Sequence, residues 1–371
     1  MKATSILLAA LLFSFGDRTP TPSDRSAPVL ATDERDEPLD AQQLAAHRAL
    51  SAGLEFLAKR QATVPDGSLP ATGAQSAAPV GVTALTAVAW MAGGSTLERG
   101  PHGESLSKAI EYLLTRVNVE EGSSELGFVS EAGDKLSQMH GHGFATLAFS
   151  QAYTVSPGTP RGDRLGRRLK LAIERIEESQ HPDGGWGYGP APSLEHEGSI
   201  TITVVQALRA AHNVGLEVDL DVIARAIDYV AKSQNEDGSF RYSLREGDKS
   251  TVALTAACIS TLNATGDYSS SVIQAGYDFI FRELEQRRSD PQGQPIQQWP
   301  HYERLYLAQA LWQHSDPKVF QRWVKEERVR VLSTQNEDGS WGGSAFGDCY
   351  ATAMNCLFLA VPESLLPIFQ R

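Results

Sequence analysis

The sequence predicts an all-α protein, a closed α/α toroid of six helical hairpins with Gln-Trp-type repeats, and three observations carry that prediction. One phrase recurs behind apolar helical patterns: Gln180-His-Pro-Asp183-Gly184-Gly185-Trp186, Gln234-Asn-Glu-Asp237-Gly238-Ser239-Phe240 and Gln335-Asn-Glu-Asp338-Gly339-Ser340-Trp341, with a looser copy from Gln61 to Leu69. A self-similar period fixes an architecture before any local reading does. Amphipathic helical patterns also alternate with patterns that are apolar nearly all round, which separates an outer from an inner layer. Finally, neither end carries the polar cap that an open helical solenoid needs. The last apolar pattern, with Tyr350, Ala351, Met354, Leu357 and Phe358, is as apolar as those in the middle, so the last hairpin is expected to pack on the first.

Outer helices are expected near 41–60, 104–117, 165–179, 221–233, 270–287 and 318–334, and inner helices near 81–93, 141–153, 199–213, 250–264, 301–313 and 348–360. The fourth hairpin shows the logic. Val222, Ile223, Ala226, Ile227 and Val230 recur at helical spacing. Gly238 is expected to stop that helix, because glycine takes the left-handed turn without steric cost. Ser250 or Thr251 can cap the next helix, which is apolar from Val252 to Leu262. Inner helices start about every 54 residues, a repeat-protein period. In the second and fifth hairpins the phrase has decayed, to Glu121-Gly122 with Gly127-Phe128 and to Gly293 with Trp299.

The phrase is read as structural. Asp-Gly makes a tight turn, the Gln amide is expected to satisfy carbonyls left open at a helix end, and the aromatic covers the turn. A calcium loop would need alternating oxygen ligands and a closing Glu, and neither is there.

With 371 residues, 41% of them hydrophobic, the chain can bury a sizeable core. A formal net charge of -12 argues against a nucleic-acid footprint, which needs a basic face. Lys2 precedes an apolar run from Ile6 to Phe13, followed by small Ser14 and Gly16. The run is too short to span a bilayer and reads as an export signal over 1–16, giving a periplasmic or extracellular protein with no transmembrane segment after signal removal. No cysteine stands near the cleavage point to take a lipid. Residues 17–40, rich in Pro, Asp, Thr and Ser, read as a disordered linker, and 41–371 as a single toroid domain. Three cysteines make no disulfide framework. Cys349 and Cys356, on one expected helix, would stand about 10.5 Å apart along its axis, too far to bridge.

The stretch Ala226-Ile-Asp-Tyr229-Val230-Ala-Lys-Ser-Gln234-Asn-Glu-Asp237-Gly238-Ser239-Phe240 resembles the Gln-Trp repeat of squalene and terpene cyclases, which also marks the β subunits of protein prenyltransferases. The resemblance covers 41–371. The closing residues, Gln335 to Trp341, Tyr350-Ala-Thr352-Ala and Leu366-Pro367-Ile-Phe-Gln-Arg371, are similar to a group of bacterial prenyltransferase/squalene-oxidase-repeat proteins. In such a ring the inner helices run the same way and crowd their N-termini around one mouth, where six helix dipoles favour an anion. The resemblance implies that chemistry, where there is any, happens at that mouth.

Polar residues cluster at the inner starts. His140, His142, His301, Tyr302, Arg304 and Tyr350 are the candidate ligand-binding residues, with apolar positions deeper in, as a pocket for a greasy chain requires. His140 and His142, one residue apart, cannot share a helix face; they either satisfy backbone groups at a helix entry or bind metal. Tyr302 and Tyr306, four apart, share a face and either line the cavity or pack on the next inner helix. Cyclases that protonate an alkene carry an Asp-x-Asp-Asp acid motif, which this chain lacks. Glu195 and Glu197, in Glu195-His196-Glu197-Gly198, are the candidate catalytic carboxyls; general-acid work would need one kept protonated by its surroundings, and the alternative is a pair of solvated loop glutamates.

The prenyltransferases offer a second local likeness. His142-Gly-Phe-Ala-Thr146 resembles their His-Gly-Gly-Tyr-Thr diphosphate-contacting segment, and Cys349-Tyr350-Ala-Thr352 resembles the Asp-x-Cys-Tyr-Ser segment that gives two zinc ligands. The resemblance implies Asp348, Cys349 and His301 as a zinc set. Asp348, however, adjoins the cysteine instead of standing two before it, and His301 precedes the cysteine by one repeat instead of following it. Zinc asks for about four ligands, so the expectation is no cofactor, with zinc the alternative. Cys349 as a small buried residue and Asp348 as a helix cap are the alternatives.

Two function classes follow. One is an exported repeat protein that binds an isoprenoid or other apolar small molecule in a central cavity, or a protein partner. The other is a degenerate enzyme of terpene cyclase or prenyltransferase type acting on an isoprenoid. The toroid also serves thioester-containing complement domains and vitamin carriers; the Gly-Cys-Gly-Glu-Gln thioester signature is missing, which excludes covalent capture. A bore filled by Phe144, Met354, Tyr306 and Trp90 would exclude the enzyme.

Overall fold

The computed structural model describes residues 40–363 and Leu366, apart from 71–77, 133, 135–137, 155–157, 246, 248 and 291–298. The expected export signal and most of the expected linker lie outside the described residues, as does the tail after Leu366.

Twelve α-helices follow one another among the described residues: α1 (Ala41–Gln61), α2 (Pro79–Ala92), α3 (Gly103–Thr115), α4 (Gln138–Tyr153), α5 (Pro160–Glu178), α6 (Gly198–Asn213), α7 (Leu220–Lys232), α8 (Val252–Ala264), α9 (Ser271–Ser289), α10 (Pro300–Trp312), α11 (Pro317–Ser333) and α12 (Asp348–Ala360). None is long and apolar enough to cross a membrane. The even-numbered helices form the inner ring, packed in the order α2, α4, α6, α8, α10, α12 and back to α2. Each later outer helix lies against the inner helix before it, and α1 lies against α12. The ring is closed.

Composition explains the layers. In α2 every residue from Val80 to Ala92 is buried, and in α8 every residue from Val252 to Asn263. Outer α5 buries only one stripe, Leu165, Leu169, Ala172, Ile173 and Ile176, each large aliphatic contributing about 1.5–3 kcal/mol by leaving water. Thr159, Asp219, Thr251, Ser270 and Asp316 cap their helices by accepting a first-turn N–H. Thr251 settles the cap of α8. Asp348 is not a cap: it is the first residue of α12, behind Gly347.

Where it is intact, in four hairpins, the recurring phrase ties one hairpin to the next. Gln180 Nε2 donates to the Gly184 carbonyl at 2.9 Å and to Val222 O at the start of α7 at 2.8 Å. Gln234 does the same to Gly238 and to Val272 of α9, and Gln61 to Gly67 and to Ser105 of α3. Gln335 completes the ring, reaching Gly339 and, at 2.9 Å, the carbonyl of Ala49 in α1. The Gln amides therefore bridge to the following outer helix. It is the tryptophan that takes the carbonyl near the end of the preceding helix, Trp186 Nε1 from Ile176 at 2.8 Å and Trp341 Nε1 from Val331 at 2.9 Å.

Gly238 has a different role from the one its sequence position predicts. α7 ends at Lys232, with Ser233 as its C-cap. Gly238 lies beyond, with φ +90°, where a Cβ would stand 2.2 Å from the Ala275 carbonyl of α9. Gly184 meets Arg225 of α7 and Gly339 meets Ala52 of α1 in the same way. These glycines let phrase backbone press on helix backbone.

Candidate functional site

Five of the six inner helices, α2, α4, α6, α10 and α12, bring residues near their N-terminal ends to one cavity of about 390 Å³, and the loop before α8 adds Tyr242. Its apolar wall comes from Val82 and Leu85 of α2 and Phe144 of α4, and an aromatic rim from Tyr188, Tyr242, Trp299, Tyr302, Phe346 and Tyr350. The rim rings touch in series: Trp299 stacks on Phe346 with centroids 5.8 Å apart, and Phe346 meets Tyr350 at 5.2 Å. Below the rim, Tyr306 packs against Tyr302 at 4.4 Å and donates its hydroxyl to Gln206. Gln206 in turn donates to Gln309, which also accepts from Ser260. This polar layer joins α6, α8 and α10. Phe144 lines the space, and Trp90 is buried away from it, donating to Leu54 O of α1.

The cavity has one polar corner. Ser199 donates to Glu197, and His140 Nε2 stands 3.2 Å from the same Ser199 hydroxyl. Burial lowers the His140 pKa to about 4, so the imidazole is neutral at physiological pH. The ring is enclosed by protein but borders the cavity, against Phe144 and Tyr188. Burial likewise pushes the Tyr302 and Tyr350 phenols well above their ordinary range. His140, Tyr302 and Tyr350 are thus held uncharged.

Of the residues singled out from sequence, His140, Glu197, Tyr302 and Tyr350 stand on this cavity; His142, Glu195, His301, Arg304, Asp348 and Cys349 do not line it. Glu195 is exposed on the loop before α6. His142 is fully buried: its Nδ1 accepts from Val129 N–H at 3.0 Å, and its Nε2–H donates to Ala172 O at 3.2 Å. It does what threonine does in the other hairpins, where Thr83, Thr201, Thr255 and Thr352 accept from Leu69, Trp186, Phe240 and Trp341.

His301 and Arg304 turn outward from the bore. His301 Nε2 donates to Gly342 O at 3.1 Å, and Asn355 Nδ2 donates to its Nδ1 at 3.2 Å. Arg304 donates to Glu327 of α11 at 2.7 Å and to Asn355 of α12 at 2.8 Å. Burial, with Arg304 beside it, lowers His301 to about pKa 4. Cys349 is buried, and that burial raises its thiol pKa against the influence of Arg60, while Asp348 is exposed. Asp348, Cys349 and His301 do not converge as a ligand set: among the described residues, the His, Cys, Asp and Glu group gathered closely enough to hold an ion is His181, Asp183 and His196.

Sequence reasoning missed Tyr188, Tyr242, Trp299, Phe346 and Ser199. A signal existed for two of them: Tyr188 and Tyr242 stand two residues beyond the phrase's own aromatic, Trp186 and Phe240. The phrase aromatic goes into the core and the next one reaches the rim.

No protein-family model matches the chain. Over 135 residues it is 27% identical to lanosterol synthase of Saccharomyces cerevisiae, a match covering 34% of this chain and 18% of that protein. The chain therefore spans less than a fifth of that relative. An α-1,6-mannanase from Salegentibacter sp. HEL1_6 superposes with a TM-score of 0.58 at 10% identity, over 87% of this chain and 99% of that one. A variant of the type II terpene cyclase MstE from Scytonema, in complex with its product merosterolic acid A, superposes with a TM-score of 0.55 at 15% identity, over 87% and 98%. Another variant of that cyclase, bound to its substrate geranylgeranyl dihydroxybenzoate, gives 0.53 at 16% identity, over 87% and 99%. Ring closure, the staple phrases and these superpositions lead to one structural conclusion: the chain has a terpene cyclase-like α/α toroid fold, one that the mannanase shares.

Proposed function

We propose that this is an exported protein that binds an isoprenoid, or another apolar small molecule with one hydrogen-bonding end, in the cavity at the mouth of the ring. The observation that carries the reading is the distribution of chemistry in that cavity. Aliphatic and aromatic walls meet a single polar corner of His140, Ser199 and Glu197. Such a site orients an amphipathic ligand, its tail on the walls and its polar end at the corner. The volume, about 390 Å³, lies within the range of small-molecule pockets. Export rests on the apolar run from Ile6 to Phe13.

A binding role is favoured over two enzyme classes. Glycoside hydrolysis of the usual kind needs two carboxyl groups flanking the bond, and Glu197 is the one carboxylate among the lining residues described. Alkene protonation of the cyclase type would need an acid motif that the sequence lacks. The second reading is a degenerate terpene cyclase-type enzyme acting on an isoprenoid; the Glu197–Ser199–His140 chain on the cavity supports it as the one acid–base relay there.

Native mass spectrometry of the mature protein, incubated with lipid extract and then with defined isoprenoid alcohols, tests the binding. A Gly81→Phe variant is the blocking control. Gly81 lines the cavity, and a Cβ there meets nothing closer than Gly141 Cα at 3.6 Å. The fold should survive while ligand uptake is lost. Uptake unchanged by Gly81→Phe would remove the cavity as the site. Turnover of the isoprenoid that Glu197→Gln abolishes would establish the enzyme reading in place of the binding one.

A further inference from the structure

The third phrase departs from its siblings in a way that the toroid does not require. In the first, fourth and sixth phrases the aspartate is occupied by the following serine: Asp66, Asp237 and Asp338 each accept from the N–H and hydroxyl of Ser68, Ser239 and Ser340. In the fourth and sixth, Asn235 and Asn336 also donate to that serine hydroxyl. The third phrase has His181 in place of the asparagine and Gly185 in place of the serine. A third departure stands across the loop. Five residues before Thr83, Thr255 and Thr352, which share one register, come Ala78, Ser250 and Gly347; five before Thr201 comes His196. Gly185 admits it: a Cβ there would meet the Tyr229 ring at 2.8 Å and His196 Cβ at 3.2 Å.

We infer that His181, Asp183 and His196 form a binding site for a divalent transition metal of the zinc class, beside the cavity mouth. His196 Nε2 lies 3.2 Å and His181 Nδ1 3.4 Å from the same Asp183 oxygen, and the three ligand atoms all fall within 4.8 Å of one another. Tetrahedral zinc, with bonds near 2.0–2.2 Å, separates neighbouring ligand atoms by about 3.4 Å. His181 Nδ1 accepts from the Asp183 N–H at 3.1 Å, a bond that the metal must replace, whereas the outer contacts of His196 suit a ligand. The His196 side chain is wholly buried, and its Nδ1 stands 3.0 Å from the Tyr229 hydroxyl. That hydroxyl accepts from Nδ1–H, fixes the ring and turns the Nε2 lone pair to the metal. Asp183 is 41% exposed at the surface, which leaves a fourth position open to water.

One cation already competes for the carboxylate. Arg245 Nη2 donates to Asp183 at 2.9 Å from an exposed side chain, and metal binding displaces it. The consequence for the cavity is mechanical. His181 and Asp183 precede, and His196 follows, the loop 187–195, which carries Tyr188 to the rim and leads into Glu197. A metal here braces both ends of that loop.

The test uses the whole mature protein, stripped with a chelator and titrated calorimetrically with zinc. About one equivalent should bind, and His181→Asn and Asp183→Asn should each weaken binding about tenfold or more without changing the far-ultraviolet circular dichroism. Arg245→Ala should tighten binding severalfold, which a purely hydrogen-bonded cluster would not do. Cobalt substituted for zinc should show ligand-field bands of a nitrogen/oxygen site. No binding at sub-millimolar zinc, an affinity left unchanged by both ligand variants, or a thiolate charge-transfer band that vanishes in Cys349→Ala would each overturn the assignment. His196→Asn removes a buried group that Tyr229 also needs, so the two surface-side variants decide.

Discussion

A single hydrogen atom decides whether Gly238 can serve. Its φ of +90° is costly for any residue with a Cβ, and that Cβ would also enter the backbone of α9 at Ala275. Gly238→Ala should destabilise the protein by about 2–4 kcal/mol, the range of changes that combine backbone strain with a core clash. Gly247→Ala, where an added Cβ meets nothing within 4 Å, should leave the urea midpoint nearly unmoved. Equal midpoints for the two variants would refute the close-approach account. The turn at Gly238 was legible in the sequence because Asp-Gly is a local signal. The pressing of that turn on α9 was not, because it joins residues 37 positions apart, Gly238 and Ala275. His142 is the converse case. It reads as a functional histidine, but it holds the register that threonine holds in four other hairpins, and only spatial equivalence reveals that.

Among the elements, the glutamine staples differ in what they join. Gln234 connects neighbours, whereas Gln335 connects the last phrase to Ala49 of α1, 286 residues away. Gln335→Ala removes two hydrogen bonds and should cost about 1–3 kcal/mol. The loss should be accompanied by faster hydrogen exchange in α1, because the α1–α12 seam is where the chain closes on itself. Gln234→Ala should cost a similar amount and leave α1 protected. Exchange in α1 unchanged by Gln335→Ala would show that apolar packing alone closes the ring. The inner helices also explain why the cavity was only partly legible. Their starts lie within three residues of those expected from sequence, close to the usual uncertainty of a helix end, yet a helix that is apolar all round has no moment to give its rotation. His140, Tyr302 and Tyr350 face the bore, while His142, His301 and Arg304, a residue or two away, face the seams. A turn of 100° per residue separates a ligand contact from a structural brace, and nothing local in these sequences sets that phase.

At the scale of the whole ring, the braces give the fold a pH dependence whose sign can be worked out. His142 is held at about pKa 3 and His301 at about 4 by burial, with Arg175 and Arg304 adding to the effect, against an ordinary value of 6.5. In the unfolded chain both take up protons as pH falls through 6.5; in the folded chain neither does until much lower. The unfolded state therefore binds more protons across that interval, and stability must rise with pH there. It is fully present above about pH 6.5 and is lost progressively towards about pH 4. Carboxylates such as Asp66 and Asp338, whose pKa values lie below the ordinary 3.8, add their own loss only in more acid solution, so the upper window belongs to the histidines. Urea midpoints measured in steps from about pH 7 to about pH 4 should fall throughout, with the slope set by proton uptake on unfolding. His142→Thr supplies the register's usual acceptor and removes one of the titrating groups, His140 and His301 remaining. It should lower stability at neutral pH, where the bond to Ala172 is lost, and shallow the acid slope. A slope as steep as that of the unsubstituted protein would mean that His142 already carries a proton in the folded ring, and the tautomer that joins Val129 to Ala172 would have to be abandoned.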